Sequence, residues 1–220
     1  TAAQLIGLNE LMLYMAADPP LIHRLMSYVR DTVIANIDAV EVCELVTMNN
    51  HGPMVCSDPV GPESNNGHLT CKNRWVVAAS QELQLVSPTM WEEFLLNYQK
   101  PVLERFGYVQ YGCCEDLTEK IDGVLSIPNL RIFVCSAWTD LGKVVDKVGQ
   151  DHCIMWRQKA SDVVFPDSTD SIRKHLENGC RRLQHSYYQI ILRELQTLAG
   201  HPGRLHDWTR IAIEMAEKYA

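Results

Sequence analysis

The sequence predicts an α/β fold on a parallel sheet, and three observations predict it. Short apolar runs alternate with amphipathic helical patterns from residue 75 to the end of the chain. The helical patterns carry start and stop signals, with Ser87-Pro88 opening one and Gly149 closing another. The 220 residues are 46% hydrophobic and 21% charged, ordinary globular composition sufficient for one large domain or part of one.

Taken in order, residues 3–17 are apolar at helical spacing (Leu5, Leu8, Met12, Met15). Asp18-Pro19-Pro20 resets the chain, with Asp18 placed as an N-cap and Pro19 at the first helical position. A second helix follows to about residue 40, and Ile22, Met26, Val29, Val33, Ile37 and Val40 recur on one face as expected core. Residues 42–48 read as a strand, and 49–74 as a long loop rich in turn signals, among them Asn49-Asn50-His51-Gly52-Pro53. Strands are expected at 75–79, 108–111, 130–135, 153–156 and 187–192, each followed by a helix: 88–106, 115–125, 139–148, 169–184 and 204–219. The result is five βα units and a sixth strand at 42–48. No Gly-x-Gly-x-x-Gly or Walker loop follows any of them.

Charge and cysteine usage exclude several classes. A formal net charge of -7 without a basic stripe argues against nucleic acid as a partner. No apolar run approaches the ~18 residues of a membrane span, and the start carries no signal-peptide pattern. The eight cysteines include no Cys-x-x-Cys pair, and several lie inside apolar runs, as Cys135 does in Ile132-Phe133-Val134-Cys135. That is the pattern of reduced, buried thiols, and a cytoplasmic location is expected.

The segment richest in chemistry is Tyr111-Gly112-Cys113-Cys114-Glu115, directly after a strand. Strand C-termini in α/β folds open onto the ligand-binding face. Two thiols and a carboxylate there suit metal binding or acid-base work, although small cysteines at a tight turn give the same pattern. The other polar residues at or just after strand ends are Asn49, Asn50, Ser80, Gln81, Glu82, Ser136, Trp138, Arg157, Lys159, Arg193 and Glu194. Arg157 and Arg193 suit a carboxylate or phosphate held bidentately, or a structural ion pair with Glu194. Trp138 suits a lid over a flat ligand or plain packing. Among the eight histidines, His201 after the last strand is the candidate acid or base.

Several motifs together resemble the uroporphyrinogen decarboxylase superfamily, which joins uroporphyrinogen decarboxylases to cobamide-dependent and zinc-dependent methyltransferases. They are Ser87-Pro88-Thr89-Met90-Trp91-Glu92-Glu93-Phe94 with Tyr98-Gln99-Lys100-Pro101, the Tyr111–Glu115 segment, Ile127-Pro128-Asn129-Leu130-Arg131, Ser136-Ala137-Trp138-Thr139-Asp140 and Gly200-His201-Pro202-Gly203-Arg204-Leu205. The resemblance covers the chain from about residue 8. It implies a (β/α)8 TIM barrel of which residues 1–220 form one fragment lacking the N-terminal strands.

The resemblance also implies a site. The zinc-dependent methyltransferases place His-x-Cys at the end of the strand that here reads Tyr111-Gly112-Cys113, so the cysteine matches and the histidine does not. Their third ligand, a cysteine after the last strand, has no counterpart in Arg193-Glu194-Leu195-Gln196-Thr197. Cys113 and Cys114 are the metal candidates, with Glu194 or Glu82 as substitutes. Cys113, Glu115, Glu194 and His201 are the catalytic candidates, and Asn49, Asn50, Glu82, Ser136, Trp138, Arg157 and Arg193 the substrate-binding ones. Methyl transfer in corrinoid or one-carbon metabolism is the leading expectation, with zinc as cofactor and a cobamide as co-substrate. The alternatives are a cofactor-free carboxy-lyase acting on a carboxylated tetrapyrrole or smaller acid, and a non-catalytic corrinoid-binding barrel. The implied partners are a small-molecule substrate or a corrinoid, free or protein-bound. Nucleic acid and membrane are not expected, and a homodimer is left open.

Overall fold

The structure is a computed structural model and describes residues 2–47, 60, 67–166 and 168–220. Five parallel strands form one sheet in the order β1-β2-β3-β4-β5: β1 Trp75–Ala78, β2 Tyr108–Tyr111, β3 Leu130–Cys135, β4 Cys153–Lys159 and β5 Tyr187–Arg193. Ten α-helices accompany them among the described residues. In β3, Ile132 to Cys135 are all buried, as parallel strands covered on both faces require. The α/β class and the parallel sheet match the sequence expectation.

The chain divides into two compact units, Thr1–Cys113 with Asp122–Arg131, and Cys114–Ile121 with Ile132–Ala220. In the first unit the predicted helix over 3–17 is two helices, α1 (Ala2–Ile6) and α2 (Leu8–Ala17), because Gly7 takes φ 87 between them. Asp18 caps α3 (Pro19–Val42) as expected, its carboxylate accepting from Leu21 N at 3.1 Å.

Two expectations for this region are corrected. The strand predicted over 42–48 does not form in the described part. The α3 helix runs through Val42, Glu44 turns at φ 57, and residues 45–47 have no regular structure. Of the α3 stripe only Ile22 and Met26 are buried; Val29, Val33 and Ile37 are half-buried and Val40 is exposed.

Ser87 caps the next helix, accepting from Met90 N at 3.3 Å. That helix is α4 (Pro88–Trp91) and α5 (Asn97–Leu103), joined by a π-helical turn over Glu92–Leu96. It ends at Leu103 rather than 106, because the amide of Asn129 donates to the carbonyls of Leu103 and Phe106, both at 2.8 Å. Gly107 serves close approach rather than a helix cap: a Cβ there would collide with Val60 and the Lys72 carbonyl. The α6 helix is Ile121–Leu125, later than the predicted start at 115.

The second unit holds β3 from Ile132, β4, β5 and four helices: α7 (Leu141–Val148), α8 (Ala160–Val164), α9 (Asp170–Leu183) and α10 (Arg204–Lys218). Asp140 caps α7 through Lys143 N at 3.1 Å, and Gly149 ends it at φ 55. Residues two apart on a strand share a face, so Ile154, Trp156 and Gln158 lie on one side of β4. Trp156 meets Gly179 of α9, where any Cβ would collide with the indole. The β4 strand runs to Lys159, three residues beyond the expectation, paired throughout with β5 up to Lys159 opposite Arg193. Arg173 of α9 and Glu214 of α10 form a two-pronged ion pair at 2.5 and 2.8 Å.

Candidate active site

The end of β2 in the first unit is governed by packing. Tyr111, where the resemblance would call for a ligating histidine, is fully buried, edge-on to Trp91 with ring centroids 6.2 Å apart. Its hydroxyl donates to Gln99 Oε1 at 2.8 Å, and Gln99 Nε2 donates to the Ala79 carbonyl at 3.1 Å. Gly112, at φ 112, donates its N–H to the Ala78 carbonyl and turns the chain toward the half-buried Cys113. Ser80 is buried, while Gln81 and Glu82 are exposed on a short 3-10 turn. Asn49 and Asn50 lie outside the described residues.

In the second unit the residues after β2 and β3 are knitted together by hydroxyls. Thr139 Oγ1 accepts from Leu117 N at 3.1 Å and pairs with Ser136 Oγ at 3.0 Å, which accepts from Trp138 N at 3.3 Å. Glu115, expected at a helix start, is instead fully buried in this loop. Lys120, 4% exposed, feels its charge, although desolvation dominates and lowers the ammonium's pKa. Burial pushes the Cys135 thiol up to about 12, the mark of a packing cysteine.

Two arrangements at the strand ends carry chemistry. In the first, the Cys114 thiol donates to the Glu194 carboxylate. Glu194 follows β5 in the left-handed region at φ 64, a conformation costing a non-glycine residue about 1–3 kcal/mol when the surroundings impose it. In the second, a cavity of about 350 Å3 opens beside the C-terminal ends of β3 and β4. Its lining includes three cations, Arg157, Lys159 and Arg182, against one carboxylate, Asp162. Ser136 and Thr139 add hydroxyls, and Trp156 and Gly179 are also at its wall. Arg157 is only 6% exposed, so its charge acts where water screens it least. Lys159 Nζ lies 5.3 Å from the ring centroid of Trp138, which is 53% exposed. His175 of α9, 5.3 Å from the Trp156 ring, is shifted toward the neutral form by desolvation.

The cavity therefore brings Ser136 and Arg157 together, with Trp138 beside it through Lys159. Arg193 is half-buried at the end of β5, opposite Lys159 in register. His201 is exposed in the turn before α10, its N–H donating to the Leu198 carbonyl at 2.8 Å. The sequence offered no signal for Asp162, His175 or Arg182, which sit on helices and reach the cavity only through packing of α8 and α9 against β4.

The zinc expectation can be tested on the donor set. A catalytic zinc needs three protein ligands and an open position. Tyr111 is committed to Gln99, and the Cys114–Glu194 pair supplies two donors. No group of three His, Cys, Asp or Glu side chains is placed for a metal ion among the described residues. Those residues do not fit the zinc site of the methyltransferases. No described helix is long and apolar enough to cross a membrane. No protein-family model and no curated protein sequence matches the chain.

Proposed function

We propose that this chain is part of a uroporphyrinogen decarboxylase-like (β/α)8 enzyme of the cytoplasm that acts on a carboxylate-bearing small molecule, as a carboxy-lyase. The cavity of Arg157, Lys159 and Arg182 carries the reading: three cations face one carboxylate in a partly enclosed space. A volume of about 350 Å3 suits a small acid or one carboxylated arm of a larger molecule. Guanidinium and ammonium groups hold such carboxylates by charge-assisted hydrogen bonds. Decarboxylation leaves a carbanion-like centre that a positioned acid must protonate. Cys114, whose thiol donates to Glu194, is not among the residues lining this cavity, so the proton donor we assign to that step is a lining group, the Lys159 ammonium, restored from solvent.

Methyl transfer is the second reading, favoured by the same Cys114–Glu194 pair. Glu194 follows the last strand, where the methyltransferase branch has its third ligand, and Cys114 adjoins the matching cysteine, Cys113. A cobamide co-substrate would supply the methyl group. The experiment that separates the readings presents the protein with a polycarboxylated tetrapyrrole and with smaller polycarboxylic acids, measuring released carbon dioxide. Methylcobamide with a thiol, followed by its absorbance, is run in parallel. Carbon dioxide release with no methyl loss supports the lyase; methyl transfer without carbon dioxide overturns it.

A further inference from the structure

We propose that Tyr98 is a nucleophile, activated by His23 and Glu93, that takes an acyl group from an activated ester. The three side chains belong to the first unit. None of them lines the cation-lined cavity, so the assignment stands apart from the carboxy-lyase reading.

His23 of α3 meets both partners at once. Its Nδ1 is 2.7 Å from the Tyr98 hydroxyl and its Nε2 3.2 Å from Glu93 Oε1. A carboxylate only accepts, so in the neutral ring Nε2 carries the hydrogen and Nδ1 is left to accept from the Tyr98 O–H. A hydroxyl bonded to an imidazole that a third group orients is the signature of an activated nucleophile, and tyrosine is among the residues that form covalent intermediates. The imidazole is stacked on Phe94, with ring centroids 4.8 Å apart and planes at 26°. The Arg30 guanidinium lies 5.7 Å from the Tyr98 ring centroid, a positive charge beside the phenolate that forms.

The backbone gives a second, independent observation. In an α-helix, residues five apart stand about 140° from each other around the axis, so Glu93 and Tyr98 would not meet one imidazole. The π-helical turn over Glu92–Leu96 bonds i to i+5 and brings the later residue nearly above the earlier one. Glu93 and Tyr98 thereby share the side that His23 occupies, and such turns recur at functional sites. Charge selects the substrate class. Glu93 and Asp31, the latter bonded to Arg30 Nε at 2.8 Å, outnumber that one guanidinium. An uncharged carbonyl compound fits beside them better than a phosphate ester. In the step, Tyr98 Oη bonds to the carbonyl carbon and its proton passes to His23 Nδ1. The carbon–oxygen bond to the leaving group then breaks, and the proton departs on the released alcohol or phenol.

The test treats the full chain with p-nitrophenyl acetate and follows acetylation of each of the eight tyrosines by mass spectrometry. Tyr28, 67% exposed, is the internal reference. Tyr98 is half-buried and hydrogen-bonded, so as a mere link between α3 and α5 it would react more slowly than Tyr28. With His23 as base it should react at least about tenfold faster. In His23→Gln the new amide oxygen can still accept the phenol's hydrogen bond but cannot take its proton. There the Tyr98 rate should fall about a hundredfold, the lower end of a general base's contribution, while Tyr28 keeps its rate. Glu93→Ala leaves the ring without its orienting carboxylate and should slow Tyr98 as well. The His23 and Glu93 side chains are 38% and 48% exposed, so neither substitution opens the core. Tyr98 no faster than Tyr28, or a Tyr98 rate kept in either variant, overturns the proposal.

Discussion

Gly179→Ala is expected to destabilise the protein, against the usual trend for a helix glycine. Within a helix, alanine is favoured over glycine by about 1 kcal/mol. At Gly179 the new methyl would overlap three ring carbons of Trp156, which is itself buried in β4. Overpacking a core typically costs 1–3 kcal/mol, and a rigid indole flanked by His175 puts this site near about 3. The net loss is about 2 kcal/mol, or a fall in melting temperature of about 4–8 °C for a chain of this size. Thermal unfolding of four proteins gives the answer: wild type, Gly179→Ala, Trp156→Leu and the double variant. Removing the ring should abolish the clash, so that Gly179→Ala becomes neutral or stabilising in the Trp156→Leu background. A wild-type background stabilised by about 1 kcal/mol would refute the packing of α9 on β4.

Further outcomes follow from the same structure. Asn129→Leu removes both side-chain amide hydrogen bonds at the end of α5 and should cost about 1–3 kcal/mol in denaturant unfolding, the net worth of two hydrogen bonds, with the Leu103 carbonyl still accepting from Phe106 N. Asp140→Ala should cost about 1 kcal/mol through the lost cap of α7, read by the same assay. Cys135 should resist alkylation at pH 8 in the native protein and react only on unfolding, as mass spectrometry of labelled peptides would show. Its folded-state pKa is raised, so the stability it contributes is full below pH 9.0 and falls as pH rises toward about 12. Cys135→Ala should flatten that alkaline loss in unfolding curves taken from pH 8 to 11.

The strands of the second unit were legible because parallel strands leave contiguous apolar runs, and helix ends were legible where a cap had its own residue, as at Asp18, Ser87 and Gly149; the Asp140 cap of α7 was not read, and that helix was expected from 139. The strand expected at 42–48 failed because Val42 and Val46 carry apolar character without fixing a period; α3 absorbs the first and the turn at Glu44 intervenes. The end of β4 was missed because Arg157, Gln158 and Lys159 are polar residues held in the ladder by β5, information that lies in the partner strand. At the site, Ser136 and Arg157 could be placed at strand ends from sequence. The encounter of Cys114 with Glu194 spans 80 residues, and the arrival of Asp162, His175 and Arg182 at one cavity depends on helix packing; neither has a local signal.

The most direct test of carboxylate recognition is calorimetric titration of a tricarboxylate probe, citrate, at low ionic strength into wild type, Lys159→Met and Arg182→Met. The cation-lined cavity predicts one-site binding, weakened at least about tenfold by each substitution, because a charge-assisted hydrogen bond contributes about 1.5–3 kcal/mol. Binding there should also move the indole resonance of Trp156 while leaving that of Trp208 in place. Absence of binding, or affinity equal in all three proteins, would contradict the account and return the site's chemistry to Cys114 and Glu194 alone.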